Sequence, residues 1–126
     1  MRGGSPLRIS IASLALAAAV ATIGVAAPNA AAPKTVTGVV GPGFNISLKQ
    51  AKKNVKLLPP ASYIFVIHDN SNIHNFHLIG PGVNRKTGVA AKGTFTWRIT
   101  LRRGTYRFVC DPHKTIMKGK FVVQAP

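Results

Sequence analysis

Phe95-Thr-Trp-Arg-Ile-Thr-Leu-Arg-Arg-Gly-Thr-Tyr-Arg-Phe-Val-Cys-Asp-Pro-His-Lys-Thr-Ile-Met117 is the stretch that decides how this chain folds. From Phe95 to Arg102 apolar and polar residues alternate, the mark of a β-strand with one buried face. Arg103-Gly104 supplies a turn. Tyr106, Phe108 and Cys110 then fall in phase, so the thiol points the same way as two aromatic rings. Lys118 to Val123 reads as the next strand, with Phe121 and Val123 in phase with Met117. Cys110, His113 and Met117 therefore lie on one short loop joining two strands.

Working outward, helical periodicity is weak and short β-type runs recur. Tyr63-Ile-Phe-Val-Ile67 suits a strand flanked on both sides, and Pro59-Pro60 sits just ahead of it, where the missing amides do no harm. Thr35 to Val40 and Phe44 to Leu48 read as opening strands separated by Gly41-Pro42-Gly43. His74 to Ile79 reads as a further short strand ended by Gly80-Pro81-Gly82, and Val83 to Gly93 as loop. Short strands at this spacing with Gly/Pro punctuation predict an all-β fold, an antiparallel Greek-key sandwich.

A thiolate, an imidazole and a thioether on one loop are three of the four ligands of a type-1 copper site. Copper that shuttles an electron alternates between soft Cu(I) and harder Cu(II). Thiolate with two imidazoles satisfies both states, and a weak axial thioether adjusts the potential. Two strands joined by a tight loop hold such ligands rigidly. Cys110, His113 and Met117 each have an ordinary reading alone: a small buried hydrophobe, a solvated loop residue and core filler. The second imidazole has two candidates in Asn72-Ile-His-Asn-Phe-His-Leu78, namely His74 and His77. His74 is in phase with Phe76 and Leu78, His77 with Asn75 and Ile79. His68, beside Asp69, reads as a solvated turn histidine. A separate zinc site from His68, His74 and His77 has no recognised spacing and no thiolate.

Over His74-Asn-Phe-His-Leu-Ile-Gly-Pro-Gly82 and Gly104-Thr-Tyr-Arg-Phe-Val-Cys-Asp-Pro-His113 the chain resembles the cupredoxins, the plastocyanin- and azurin-like blue copper proteins, and the resemblance extends from about Val36 to Val123. In that family the upstream ligand is a His followed directly by an Asn that braces the cysteine loop. The resemblance thus implies His74, Cys110, His113 and Met117 as ligands of one copper ion, with Asn75 as the brace and His77 as the alternative to His74. Asp111, beside the cysteine, would favour Cu(II) if it faces the metal and would otherwise cap the turn. The gap between His113 and Met117 lies between the lengths found in plastocyanins and amicyanins. Plastocyanin's acidic docking patches are absent.

The chain has 126 residues, enough for one domain. Arg2 and Arg8 precede an uncharged, Ala-rich run to Ala27, followed by small residues through Ala32, the layout of a secretory signal peptide. We expect a leader over 1–32, cleaved somewhere in 26–32, and a domain over 33–126. If the leader is retained it is long enough to span a membrane marginally. Cys110 is the only cysteine, so no disulfide can form within the chain. A lone thiol in an exported protein is a liability that metal ligation removes.

There are 17 Lys+Arg against 2 Asp+Glu, the acids being Asp69 and Asp111; the net charge is +15, or +13 once Arg2 and Arg8 leave with the leader. Such a field attracts anionic partners. The expectation is a monomeric, periplasmic or extracellular envelope protein that carries one electron and meets an acidic redox protein or an anionic envelope surface. The alternatives are a copper scavenger with no redox partner and a metal-free basic sandwich that grips envelope polymer. A nucleic-acid partner is not expected, because no recognition motif is present and Phe95 and Trp97 read as core. Nor is an enzyme, because there is no Glu and no paired carboxylate.

Overall fold

The computed structural model describes residues 3–6, 10–26 and 31–126, and the chain divides into two units, Met1–Ala30 and Ala31–Pro126. In the first, residues 10–26 carry no regular secondary structure, and Leu14, Leu16 and Ile23 are exposed. Arg2 and Arg8 of the expected leader, and residues 27–30 of its cleavage region, lie outside the described residues. No helix among the described residues is long and apolar enough to cross a membrane.

The second unit is a β-sandwich. Its strands are β1 (Lys34–Val40), β2 (Ile46–Gln50), β3 (Lys53–Asn54), β4 (Leu57–Leu58), β5 (Ala61–Asp69), β6 (His77–Gly80), β7 (Val83–Lys86), β8 (Gly93–Leu101), β9 (Gly104–Val109) and β10 (Lys118–Val123). One sheet runs β3-β2-β1-β5-β8 and the other β4-β10-β9-β6-β7. The long β5–β8 pairing, from Ala61 opposite Leu101 to Asp69 opposite Gly93, is antiparallel, as the sequence predicts. Both sheets are nevertheless mixed, because β1 pairs with β5 and β10 with β4 in parallel.

Alternation becomes burial directly. In β5, Tyr63, Phe65, Ile67 and Asp69 face inward, and in β8 Trp97, Ile99 and Leu101 do so. Aromatic rings fill the interior. Phe76 stacks on Phe108 at 5.7 Å and lies 6.5 Å from Trp97 of the opposite sheet, and Tyr106 stacks on its cross-strand partner Phe121 at 5.2 Å. Each such buried ring stabilises the fold by about 2 kcal/mol relative to exposure. Two glycines make room: a Cβ at Gly80 would overlap the Tyr106 ring, and one at Gly119 the Phe108 ring. The Tyr106 hydroxyl donates to the Arg102 carbonyl at 2.8 Å, tying the β8–β9 turn to the core.

Four local expectations shift. The strand expected from His74 begins only at His77, because residues 74–76 are drawn out of the sheet by side-chain bonds described below. Val83–Lys86, expected as loop, is the edge strand β7, paired with β6 through Ile79 opposite Asn84; its polar, exposed residues suit an edge. The second opening strand runs Ile46–Gln50, which leaves Phe44 in the loop before it. His68 lies within β5, not in a turn, with its Nδ1 3.1 Å from Thr94 Oγ1.

Candidate metal centre

The site is built on the end of β9. Cys110 directly follows that strand, and Lys118, which opens β10, pairs with Val109. The intervening eight residues are therefore clamped at their base. Cys110 N donates to Met117 O at 3.0 Å, His113 N to Cys110 O at 3.0 Å and Met117 N to His113 O at 2.9 Å. Pro112 sits within a single 3-10 turn, Asp111–His113, where its missing amide is not needed. The turn folds His113 back over Cys110.

Three donor atoms converge here. Cys110 Sγ lies 3.6 Å from His74 Nδ1 and 3.5 Å from His113 Nδ1, and the two Nδ1 atoms are 3.0 Å apart. A point equidistant from the three lies about 2 Å from each, the length of a metal–nitrogen bond. The donor set, one thiolate sulfur and two imidazole nitrogens, is the one copper takes. Cys110, His74 and Met117 are wholly buried, while His113 keeps part of its surface. His74 Nε2 is buried without a hydrogen-bond partner. With Nδ1 turned to the sulfur, Nε2 is the nitrogen left to carry the proton. Met117 lies in the same buried cluster as Cys110. His74, Cys110 and His113 are the one cluster of His, Cys and acidic residues with metal-ligand spacing among the described residues.

The two candidate histidines go to different places. His74 precedes β6 and turns into the sandwich. His77, the first residue of β6, points away from the thiol, with Nδ1 2.8 Å from Asp111 Oδ1 and Nε2 2.6 Å from Asn84 Oδ1. Neither His68 nor His77 joins His74, so no zinc triad assembles among the described residues.

Asn75 bridges the two ligand-bearing segments. Its Nδ2 donates to Asp111 Oδ2 at 2.8 Å, and its Oδ1 accepts from Asp111 N at 2.7 Å. The Asp111 carboxylate is thus turned to Asn75 and His77. Burial pushes this carboxyl up, but hydrogen bonds from His77 and Asn75 and the charges of His77 and Lys114 outweigh that and hold it below the usual range.

Two supporting residues escape sequence reading. Asp69, buried at the end of β5, accepts from Ser71 N at 3.3 Å and from Thr87 Oγ1 at 2.7 Å. Thr87 Oγ1 in turn accepts from Phe76 N at 2.9 Å, Thr87 N donates to Phe76 O at 3.0 Å, and Asn75 Nδ2 also reaches Thr87 O at 3.2 Å. These bonds staple residues 71–76, and His74 with them, against the segment after β7. They are also what withholds residues 74–76 from the sheet ladder. Burial pushes the Asp69 carboxyl above its usual range, against the pull of Thr87, Ser71 and His74. Phe44 is the other. Although 61% exposed, its ring meets both imidazoles edge-on, at 5.0 Å from His74 and 4.9 Å from His113. The available signals were weak: a buried acid in a chain nearly free of acids, and an aromatic directly after Gly41-Pro42-Gly43.

The family model of copper binding proteins, plastocyanin/azurin family, matches residues 39–124. Among solved structures, reduced rusticyanin is 26% identical, with 75% of this chain and 82% of that chain covered at a TM-score of 0.48. Auracyanin A, a blue copper protein from Chloroflexus aurantiacus, is 17% identical, with 74% and 100% covered at 0.48. A chain of a heme-copper terminal oxidase dimer is 18% identical, with 72% and 65% covered at 0.50, a likeness of fold alone. No curated protein matches the sequence.

Proposed function

The chain belongs to the plastocyanin/azurin family of copper-binding proteins, its cofactor is copper, and from that premise we propose that it is an exported one-electron carrier with a type-1 site. Cys110 Sγ, His74 Nδ1 and His113 Nδ1 would hold the ion, with the Met117 thioether as a fourth donor. The observation that carries this reading is the convergence of one buried sulfur and two imidazole nitrogens to within 3.6 Å of one another on a hydrogen-bonded frame. When bound, copper supplies a one-electron couple. The chain's own residues keep the surroundings constant between the two oxidation states. The clamped Cys110–Met117 loop fixes three donors, Asn75 and Asp111 lock that loop to the His74 segment, and Cys110 and Met117 are shut off from water.

A filled ligand set leaves no position for a substrate, and the only two side-chain carboxylates are both engaged internally, so electron movement fits better than catalysis. His113, the one donor residue with exposed surface, is the proposed exit for the electron. Residues 1–32 would direct export, consistent with the lone thiol, and the domain would work as a monomer in the periplasm or outside the cell. The basic surface would steer an acidic redox protein or an anionic envelope surface.

The deciding experiment is an optical and EPR titration of residues 33–126, reduced and then given Cu(II). An intense visible sulfur-to-copper band with narrow hyperfine splitting at one equivalent is expected. A weak band with an ordinary type-2 spectrum would overturn the reading. Reversible cycling without loss of metal would separate a carrier from a scavenger.

A further inference from the structure

The outer face of the second sheet carries a groove of 610 Å³ between Arg107 of β9, Lys118 and Lys120 of β10, and Lys114 of the metal loop, floored by Ile79 and Val109. No carboxylate lines it. The register makes it more than a scatter of lysines. Arg107 stands directly opposite Lys120 across the β9–β10 pair, and Ile79 lies opposite Arg107 on the other side. Like charges opposite each other on adjacent strands destabilise a sheet.

Among the described residues no ion pair relieves that repulsion. Asp69 is buried against Thr87 and Ser71, and Asp111 is turned to Asn75 and His77, so neither side-chain carboxylate is left for the arginine and lysines of the groove. The His77–Asp111 contact is the only one of salt-bridge geometry among the described residues. A concave site with cations on its walls, an apolar floor and an internal electrostatic cost is relieved by a convex, carboxylate-bearing partner.

We propose that this groove, on β9 and β10, is where an acidic segment of a partner protein docks. The inference rests on the electron-carrier reading for the partner's redox role, but the groove's chemistry does not depend on copper. A flat bilayer would reach only the rim of a concavity in the middle of a sheet. The groove has no aromatic side chain on which a nucleic-acid base could stack.

The test uses short poly-L-glutamate as probe, with binding measured at low and high salt on copper-loaded protein. Arg107→Glu turns a like-charge pair into an opposite-charge pair with Lys120. It should hold or raise the melting temperature while weakening probe binding about fivefold. Lys53→Glu makes the same change in net charge on β3 of the other sheet and should weaken binding less than about twofold. Lys120→Glu should repeat the Arg107→Glu result.

Equal losses at Lys53 and Arg107 would overturn the proposal, because net charge alone would then explain binding. So would absence of binding at low salt, or groove-dependent binding to anionic phospholipid vesicles in preference to poly-L-glutamate. The visible copper band is recorded on every variant. Loss of the groove effect with the band intact defeats this inference alone, while a missing band with groove-dependent binding defeats the electron-carrier reading alone.

Discussion

Asn75 and Asp111 hold each other by two hydrogen bonds, side chain to side chain at 2.8 Å and backbone amide to side chain at 2.7 Å, across 36 positions of sequence. One residue follows His74 and the other follows Cys110. The pair therefore fixes the separation of two donor residues that the chain itself leaves far apart. Asn75 is buried, so its side-chain amide has given up water and depends on Asp111 for its bonds.

Asn75→Ala removes this grip and the bond to the Thr87 carbonyl together. The expected cost is about 2–3 kcal/mol, a fall in Tm of roughly 10–20 °C for a domain of this size, measured by thermal melts of the copper-free protein. The visible copper band should broaden in the loaded variant. A melt within a few degrees of wild type would show that the brace is dispensable.

The two acids should pull stability in opposite directions with pH. Asp111 has a folded value below its unfolded one, so its contribution is present above about pH 3.9 and is lost as pH falls through the folded value. Asp69 has a folded value raised by burial, so its contribution is present below about pH 3.9 and is lost as pH rises through the folded value. Melts of the copper-free protein from acid to neutral pH should show Asp69→Asn gaining on wild type as pH rises. Asp111→Asn should fall further behind over the same range. Parallel curves for both variants would refute the assignment.

Phe44→Ala should cost only about 1 kcal/mol, since the ring is mostly exposed and contributes chiefly its two edge contacts. Its larger effect is on access. With both imidazoles uncovered, copper should pass faster to a chelator at unchanged band position. An unchanged release rate would leave Phe44 as surface alone.

Met117→Leu keeps a buried apolar side chain of similar volume, so the copper-free melt should change by less than about 1.5 kcal/mol. Loss of the thioether should raise the reduction potential, because a donor to Cu(II) is gone. A potential equal to wild type would place Met117 in the core with no axial role.

Gly119→Ala would drive a methyl into the Phe108 ring, itself pinned by stacking on Phe76, at an expected cost of about 2–3 kcal/mol in the melt. Gly88→Ala meets only Ala91 Cβ, at 3.5 Å, and should stay within about 0.5 kcal/mol. Equal effects would mean that the Phe108 ring moves aside at little cost.

The strands were legible wherever one face is apolar. In β5, β8, β9 and β10 the inward residues follow the alternation of the sequence, because a two-residue period maps directly onto the two faces of a sheet. They were illegible at β7, where Val-Asn-Arg-Lys pairs through its backbone and buries a single side chain, leaving almost no pattern to read. The start of β6 lies three residues later than the pattern predicts for the reason that makes the site: Phe76 N and O are bonded to Thr87, eleven residues downstream, and not to a neighbouring strand.

By itself the sequence determined the all-β class, the copper chemistry and the grouping of Cys110, His113 and Met117, because those three are neighbours on one loop and their proximity needs no long-range fold. Only the tertiary structure decided which histidine faces the thiol, since His74 and His77 differ only in which side of the start of β6 they fall. It also decided that the two carboxylates of a strongly basic chain are spent on bracing the donor residues, and that Arg107 and Lys120 stand face to face. Those relationships join residues 13 to 39 positions apart. They exist only once strand register and loop closure bring distant segments together, which local pattern does not encode.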